Sequence, residues 1–280
     1  MHTSIFPKLL ALSFLSLFTF SLSAQKVQFG ADTEEMINLK AGTLYVMAPA
    51  EYTDKLKVAL TKYWKQCKFE FLTGDLESHL NTPSNYFLNV TSKEFGVFCG
   101  NKKRLTSYTV IDYLVLMDLP FDGDVSFDYI VNSINSAIDL VMSRQITGGI
   151  SKMQAKAGEA ITEAAPKLKG KTLLIIDKFV DKTRTSECIL SKGIDACSMD
   201  HKVVTEEEAK KLMSAGDKKY CLLSFKIYSN GKTFMKMAYV YDFESRKAVY
   251  AFHHTSATLY SGFGPKDFAR ITDAMEGKKE

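Results

Sequence analysis

The chain reads as an α/β (α+β) protein: two tandem small mixed-sheet units with helices packed on the sheets, carrying an echo that points to duplication. Three observations predict this. Short β-branched and aromatic runs alternate with segments of helical apolar spacing. Composition shifts to Ala, Gly and Lys between residues 145 and 169. Finally, "FLTGDLESHL" (residues 71–80) and "VVTEEEAKKLM" (203–213) share a plan, with two apolar residues, a threonine, acids, and a leucine seven positions after the threonine.

Residues 1–24 come first. Lys8 precedes an apolar run of about 14 residues, which ends in the small residues Ser21, Ser23 and Ala24. That layout is a secretory signal peptide cleaved before Gln25, and the run falls short of the roughly 20 residues needed to span a bilayer. No cysteine follows the run, which argues against a lipoprotein. The leader resembles those of Bacteroidota-type envelope proteins. Its removal leaves roughly 250 residues, room for one large or two small domains.

The first unit is assigned to residues 25–147. A polar lead-in reaches residue 40, then "GTLYVMAP" reads as a buried strand stopped by Pro49. Leu56, Ala59, Leu60 and Tyr63 recur at helical spacing behind Thr53 and Asp54, either of which can cap the helix. Strand "KFEFL", acidic helix "TGDLESHL" and strand "NYFLNVT" follow, then a loop holding "CGNKKR", the long strand "SYTVIDYLVLMDL" and the helix "SFDYIVNSINSAIDLVMSR". Residues 148–169 form a helical linker or a connecting helix.

The second unit, 170–280, opens with strand "KTLLIIDKFV" and an irregular, cysteine-containing stretch. Strand "KVV" leads into helix "TEEEAKKLMSAG". Next, Asn230-Gly231 separates two alternating runs, the strongest hairpin signal in the chain. Strand "KAVYAFHH" follows, and a last helix starts at Pro265, a residue suited to a first turn. The acids of "VVTEEEAKKLM" have a local purpose: Thr205 and Glu208 fit a capping box, and Glu206 and Glu207 sit near the positive end of the helix dipole. In the first unit Leu76 stands where the box needs Glu, so that reciprocal half is missing.

Bulk properties exclude some classes. The formal net charge is +4, one of which leaves with Lys8, so nucleic-acid binding is not indicated. No later segment is apolar enough to span a membrane. Cys188 and Cys197 flank a short loop and are the candidate disulfide in an oxidising compartment, the alternative being buried free thiols such as Cys221 in its apolar run; five cysteines leave at least one unpaired within the chain.

Chemistry-bearing motifs are sparse. "FHHTS" supplies the weak catalytic candidates His253 and His254, but neighbours on a strand face opposite ways and cannot readily share a metal. No zinc-ligand spacing, nucleophile elbow, P-loop or dinucleotide fingerprint is present, and neither cofactor nor metal is expected. "SGFGPKDF" reads as a turn into a proline-started helix, and "GNKKR" as a solvated hairpin or loop. Phe225, Tyr228, Phe234, Tyr239 and Tyr241 alternate along strands and read as sheet core.

The order strand, helix, strand, Thr-started acidic helix, strand over residues 43–90 resembles the small periplasmic α/β modules of the amino-terminal domain of TolB and of the curli secretion channel. The second half departs from that pattern, since "DKTRTSECILSKGIDACSMDH" stands where the first helix belongs. The resemblance implies a scaffolding or assembly role. The expectation is therefore an exported, periplasmic or extracellular, non-enzymatic protein that binds a protein partner in the envelope or outside the cell. The alternatives are a metal- or thiol-dependent enzyme using His253 or His254, and a small-ligand carrier with a pocket between the units.

Overall fold

The computed structural model describes residues 28–29, 33–73, 79, 82, 84–90, 94–105, 108–118, 121, 126–144, 146, 150–181, 189–229, 234–256 and 262–278. The predicted leader and most of the helix "TGDLESHL" lie outside them. The fold is α/β, with helices packed on two main sheets that each mix parallel and antiparallel pairs.

The first half runs β1 (Gln28–Phe29), α1 (Thr33–Ala41), β2 (Thr43–Met47), α2 (Thr53–Tyr63), β3 (Lys68–Phe71), β4 (Asn85–Val90), β5 (Glu94–Leu105), β6 (Tyr108–Asp118) and α3 (Phe127–Ser143). The polar lead-in therefore contains a helix, α1, whose Leu39 is fully buried while Ile37 is 55% exposed; apolar residues that do not keep to one buried face give too weak a period to read. Between α1 and β2 the backbone turns at Gly42, where an added Cβ would lie 2.3 Å from the Ser84 carbonyl oxygen. That close approach requires glycine.

"GNKKR" is not a loop. It belongs to β5, which pairs with β6 from Glu94 to Leu105 and absorbs an irregularity between Phe98 and Lys102 before resuming at Lys102 opposite Ile111. A bulge carries Gly100 and Asn101 without ending the strand, which is why turn-forming residues here mislead.

After α4 (Ile150–Thr162), the second half runs β7 (Thr172–Ile176), β8 (Val180–Asp181), β9 (Ile189–Leu190), α5 (Ser191–Asp195), β10 (His201–Val204), α6 (Glu206–Ala215), β11 (Tyr220–Ser229), β12 (Phe234–Asp242), β13 (Lys247–Ser256) and α7 (Pro265–Met275). β11 and β12 pair antiparallel up to Ser229 opposite Phe234, so the predicted hairpin forms, but its register leaves four residues, 230–233, between the paired strands rather than the two of a tight Asn-Gly turn; those four lie outside the described residues. Thr205 Oγ1 accepts the Glu208 backbone N–H at 3.2 Å and caps α6, and Gly216 in the left-handed region ends it. The reciprocal half of the box is not made: the Glu208 carboxylate bonds Lys202 Nζ of β10 at 2.6 Å instead.

Strand order is β1-β6-β5-β4-β2-β3 in one sheet and β10-β7-β11-β12-β13 in the other. Setting β1 aside, each sheet places its half's first strand inside, flanked in parallel by the second and third, with the fourth and fifth added antiparallel. The helix after the first strand contacts the closing helix in both halves, α2 with α3 and α5 with α7. In the second half α5 is only five residues long, because the connecting stretch also supplies β8 and β9.

α3 joins the two sheets. It has no Gly or Pro, and Phe127, Tyr129, Ile130, Val131, Ile134, Ala137, Ile138 and Val141 are all buried. A helix apolar around most of its circumference must be covered on several sides. Its neighbours are α1, α2 and β6 on one side and β13 and α4 on the other. One continuous core thus includes Leu44, Val46, Tyr86 and Leu88 of the first sheet, α3, and Leu174, Leu222, Met237 and Tyr241 of the second. The opposite face of the second sheet forms its own core, where Leu173, Ile175, Leu223 and Val240 meet Phe268, Ile271 and Ala274 of α7. Burying each of these large side chains contributes roughly 1.5–3 kcal/mol as an upper bound.

Polar groups fix how α3 meets the second sheet. Tyr129 Oη donates to the Met213 carbonyl at 2.7 Å, and Asn132 Nδ2 donates to the carbonyls of Ser245 (2.8 Å) and Arg246 (3.1 Å). Ser133 Oγ accepts the Ala248 N–H at 2.9 Å, and Asp128 pairs with Arg246 at 3.0 Å. Arg246 holds φ near +50°, a conformation uncommon outside glycine, and these contacts stabilise it. α4, in the segment predicted as linker or connecting helix, packs on β13 and contacts β1 and α3.

Candidate functional site

The sequence-predicted histidines sit on β13. His253 lies opposite Met237 and His254 opposite Lys236. The His254 side chain is exposed, and its ring lies 6.3 Å from Phe252, nearly parallel to it. Arg270 of α7 covers the same Phe252 ring at 4.5 Å. The geometry is an aromatic and cationic strand end on the α7 side of the sheet. Cys188 lies outside the described residues, so the Cys188–Cys197 pair does too; Cys197 is a half-buried free thiol. Burial pushes its pKa up, as it does for the fully buried Cys221, and a raised pKa lowers thiolate content.

Cys67, between α2 and β3, shows the same effect. Burial pushes it up to about 11, against smaller opposing influences of the Trp64 indole and the Leu44 backbone. The Trp64 N–H is buried without an acceptor at full hydrogen-bonding distance, so its pull on the sulfur is weak. Beside it, Gln66 Nε2 donates to Asn135 Oδ1 at 3.1 Å and Asp139 Oδ1 at 2.8 Å, tying the end of α2 to α3.

Two buried ion pairs lie in the second half of the chain. Lys171, just before β7, bonds Asp242 at 2.7 Å and Glu244 at 2.8 Å; the Lys171 and Asp242 side chains are 8% and 2% exposed. Asp242 Oδ2 also accepts the Ser245 N–H (3.0 Å) and Oγ–H (2.6 Å). Burial opposes the charged form of both partners, yet the mutual bonds outweigh it: the Lys171 pKa is raised and that of Asp242 lowered. Both groups therefore stay charged at neutral pH, which suits a structural tie better than proton transfer.

Lys236 in β12 donates to Asp267 Oδ2 (2.8 Å) and to the Gly262 carbonyl (2.6 Å). Asp267 in turn accepts the Gly264 N–H at 2.8 Å. The start of α7 at "GFGPKDF" is thus occupied by its own carboxylate and a lysine, in agreement with the turn reading of that motif. Sequence reasoning passed over both pairs. The available signal was a single Lys inside the apolar run "FMKMAYVYD", since an interior charge demands a partner.

A cleft of about 390 Å³ opens at the carboxyl ends of β2 and β3 and the start of α2, lined by Val46, Met47, Ala48, Thr53, Phe71, Leu72 and Thr73. Among the described residues it is lined by no ionisable side chain, and it lies in the first half of the chain. The layer between the sheets is filled by buried side chains of α2 and α3. Among the described residues, no group of three or more His, Cys, Asp or Glu is placed to hold a metal, and no helix is long and apolar enough to cross a membrane. Of the aromatics predicted as core, Phe225, Tyr239 and Tyr241 are buried, the first facing α7 and the others facing α3; the side chains of Tyr228 and Phe234 lie outside the described residues.

The sheet edges are treated unequally. β13 is closed from the side: Thr162 Oγ1 donates to the Ala251 carbonyl (3.2 Å) and accepts the Ala251 N–H (3.3 Å), and Ser133 takes the Ala248 N–H. Among the described residues β3 and β10, second strands of their halves, end their sheets with a neighbour on one side only, as the two-residue β1 does at the other end of the first sheet. On β10, Val203 is 44% exposed. On β3, Lys68 and Glu70 are exposed and alternate with half-buried Phe69 and Phe71.

Compared with family models, with curated proteins and with solved structures, the chain gives no significant match to any.

Proposed function

We propose that the protein is an exported, non-enzymatic binding or assembly protein of the cell envelope, in which two related α/β units form one scaffold for a protein partner. One observation carries this reading: among the described residues the corresponding strands β3 and β10 have no strand paired on their outer side, while side chains of α3 and α4 bond the backbone of β13. An open edge offers unpaired backbone groups to which an extended partner segment can add a strand. The interior ion pairs support the same reading, because each ties one element to another. The strand order over residues 43–90, on which the likeness to periplasmic assembly modules rests, points the same way.

The test is site-specific photocrosslinking in the native cell. A crosslinker at Glu70 or Val203 is expected to capture the same envelope protein, whereas one at exposed Val58 on α2 captures none. Fractionation of the full chain should find it outside the cytoplasm, beginning at Gln25. Purified protein that retained stoichiometric metal and turned over a substrate, with neither edge crosslinking, would end the scaffold reading.

A further inference from the structure

The topology gathers lysines from three separate stretches at one end of the second sheet. Residues 166–171 ("PKLKGK") enter β7, residues 217–219 ("DKK") enter β11, and residues 244–247 ("ESRK") join β12 to β13. Hydrogen bonds hold them together. The Thr172 N–H donates to the Lys219 carbonyl at 2.9 Å, the Phe243 N–H donates to the Tyr220 carbonyl at 3.3 Å, and Lys171 bridges to Asp242 and Glu244. A 3-10 turn over Ala165–Leu168 sets Lys167, and its closing bonds set Lys169.

Most acids at this end are already engaged; Asp200, whose carbonyl accepts the Leu173 N–H at 2.8 Å, has an exposed side chain. Asp242 and Glu244 hold Lys171, Asp217 Oδ1 accepts the Lys219 N–H at 3.1 Å, and Asp139 holds Gln66 and Asn135. Lys167, Lys169, Lys218 and Lys219 are exposed, with half-buried Lys247 among them. The crowding is felt at Lys247, whose pKa is lowered first by burial and then by the charge of Lys167, against weaker pulls from Asp139 and Asp242.

We propose that this end of the second sheet is a docking face for an anionic bilayer, recognised through its lipid phosphate groups. Lysines are point charges that suit a diffuse layer of phosphate, whereas fixed phosphate recognition favours the arginine fork. The single arginine here, Arg246, is held by Asp128 and the Ser214 carbonyl. None of the three stretches contains an aromatic residue for stacking bases, which disfavours single-stranded nucleic acid. The inference uses the envelope reading only to bring the protein near such a surface, and its test needs no protein partner.

The experiment is sedimentation of the purified mature chain with phosphatidylglycerol-containing vesicles and with pure phosphatidylcholine vesicles. Binding is expected only to the former, and it should vanish in about 1 M salt, where the screening length is about 3 Å. Each exposed lysine is worth about fivefold in binding near an anionic surface. K167Q/K169Q/K218Q/K219Q should therefore lose at least a hundredfold, with unchanged melting. The equal charge loss K55Q/K57Q/K62Q/K65Q on and just beyond α2 should leave binding intact. Equal losses in the two variants, no preference for anionic vesicles, displacement by glycerol phosphate, or tighter binding to RNA at the same salt would each overturn the proposal. Vesicle binding without a crosslinked partner would leave it standing while removing the assembly reading.

Discussion

Lys171→Met is the sharpest test of what holds the second sheet and its connections together. The substitution keeps the stem but deletes the ammonium, leaving the Asp242 carboxylate, 2% exposed, without its counter-ion. Breaking a buried pair from one side costs about 3–5 kcal/mol. Asp242 retains its two bonds from Ser245, which places the expected loss near the lower end, about 3 kcal/mol. For a chain of this size that corresponds to a melting drop of roughly 6–12 °C. Glu244 is 61% exposed, so Glu244→Gln should change stability by less than about 0.5 kcal/mol. Urea melts followed by far-UV circular dichroism on K171M, D242L and the double variant complete a cycle. The double variant should be about 2 kcal/mol more stable than the summed single losses require, because neither charge is then left alone. The pH dependence has a defined sign. The lowered Asp242 pKa adds stability above the ordinary carboxylate range, lost as pH falls through its folded value; the raised Lys171 pKa adds stability below about pH 10.4, lost as pH rises through its folded value. A K171M loss below about 1 kcal/mol, or strict additivity in the cycle, would refute the account.

Three further outcomes are expected. The only tryptophan, Trp64, lies in the first half, yet α3 is core to both; its fluorescence and the far-UV signal should give one coincident urea transition, and separated midpoints would show that the halves unfold independently. Tyr129→Phe removes the donor to the buried Met213 carbonyl and should cost about 1–3 kcal/mol, whereas Thr205→Ala, losing only the α6 cap, should cost about 1 kcal/mol, both read by urea melts. With its pKa near 11, Cys67 should alkylate in the native state far more slowly than an exposed thiol at pH 8, measured by mass spectrometry of the labelled peptide; equal rates would mean that the site is open.

Several elements were legible because their signals are local. The β-branched and aromatic runs at Thr43–Met47 and Thr172–Ile176, the pairing of β11 with β12 as a hairpin, and the threonine and proline at the starts of α6 and α7 depend on residues a few positions apart. α1 escaped because its anchoring contact through Leu39 is tertiary, and "GNKKR" misled because a bulge allows turn formers inside a strand. The half-made capping box at Glu208 has the same origin: Lys202 on the neighbouring strand competes for the carboxylate.

The sequence by itself determined the α/β class, the order of most strands and helices, and the local reasons for their ends, since propensity, period and capping act over one or two turns of chain. Only the tertiary structure decided that α3 serves both sheets, that the buried Lys171 and Lys236 find partners 71 and 31 residues away, that β3 and β10 are terminal strands of their sheets, and that lysines from three stretches share one end of a sheet. Those facts depend on which distant segments touch. Contact between distant segments is set by burial and pairing summed over the whole chain, which no short stretch of sequence carries.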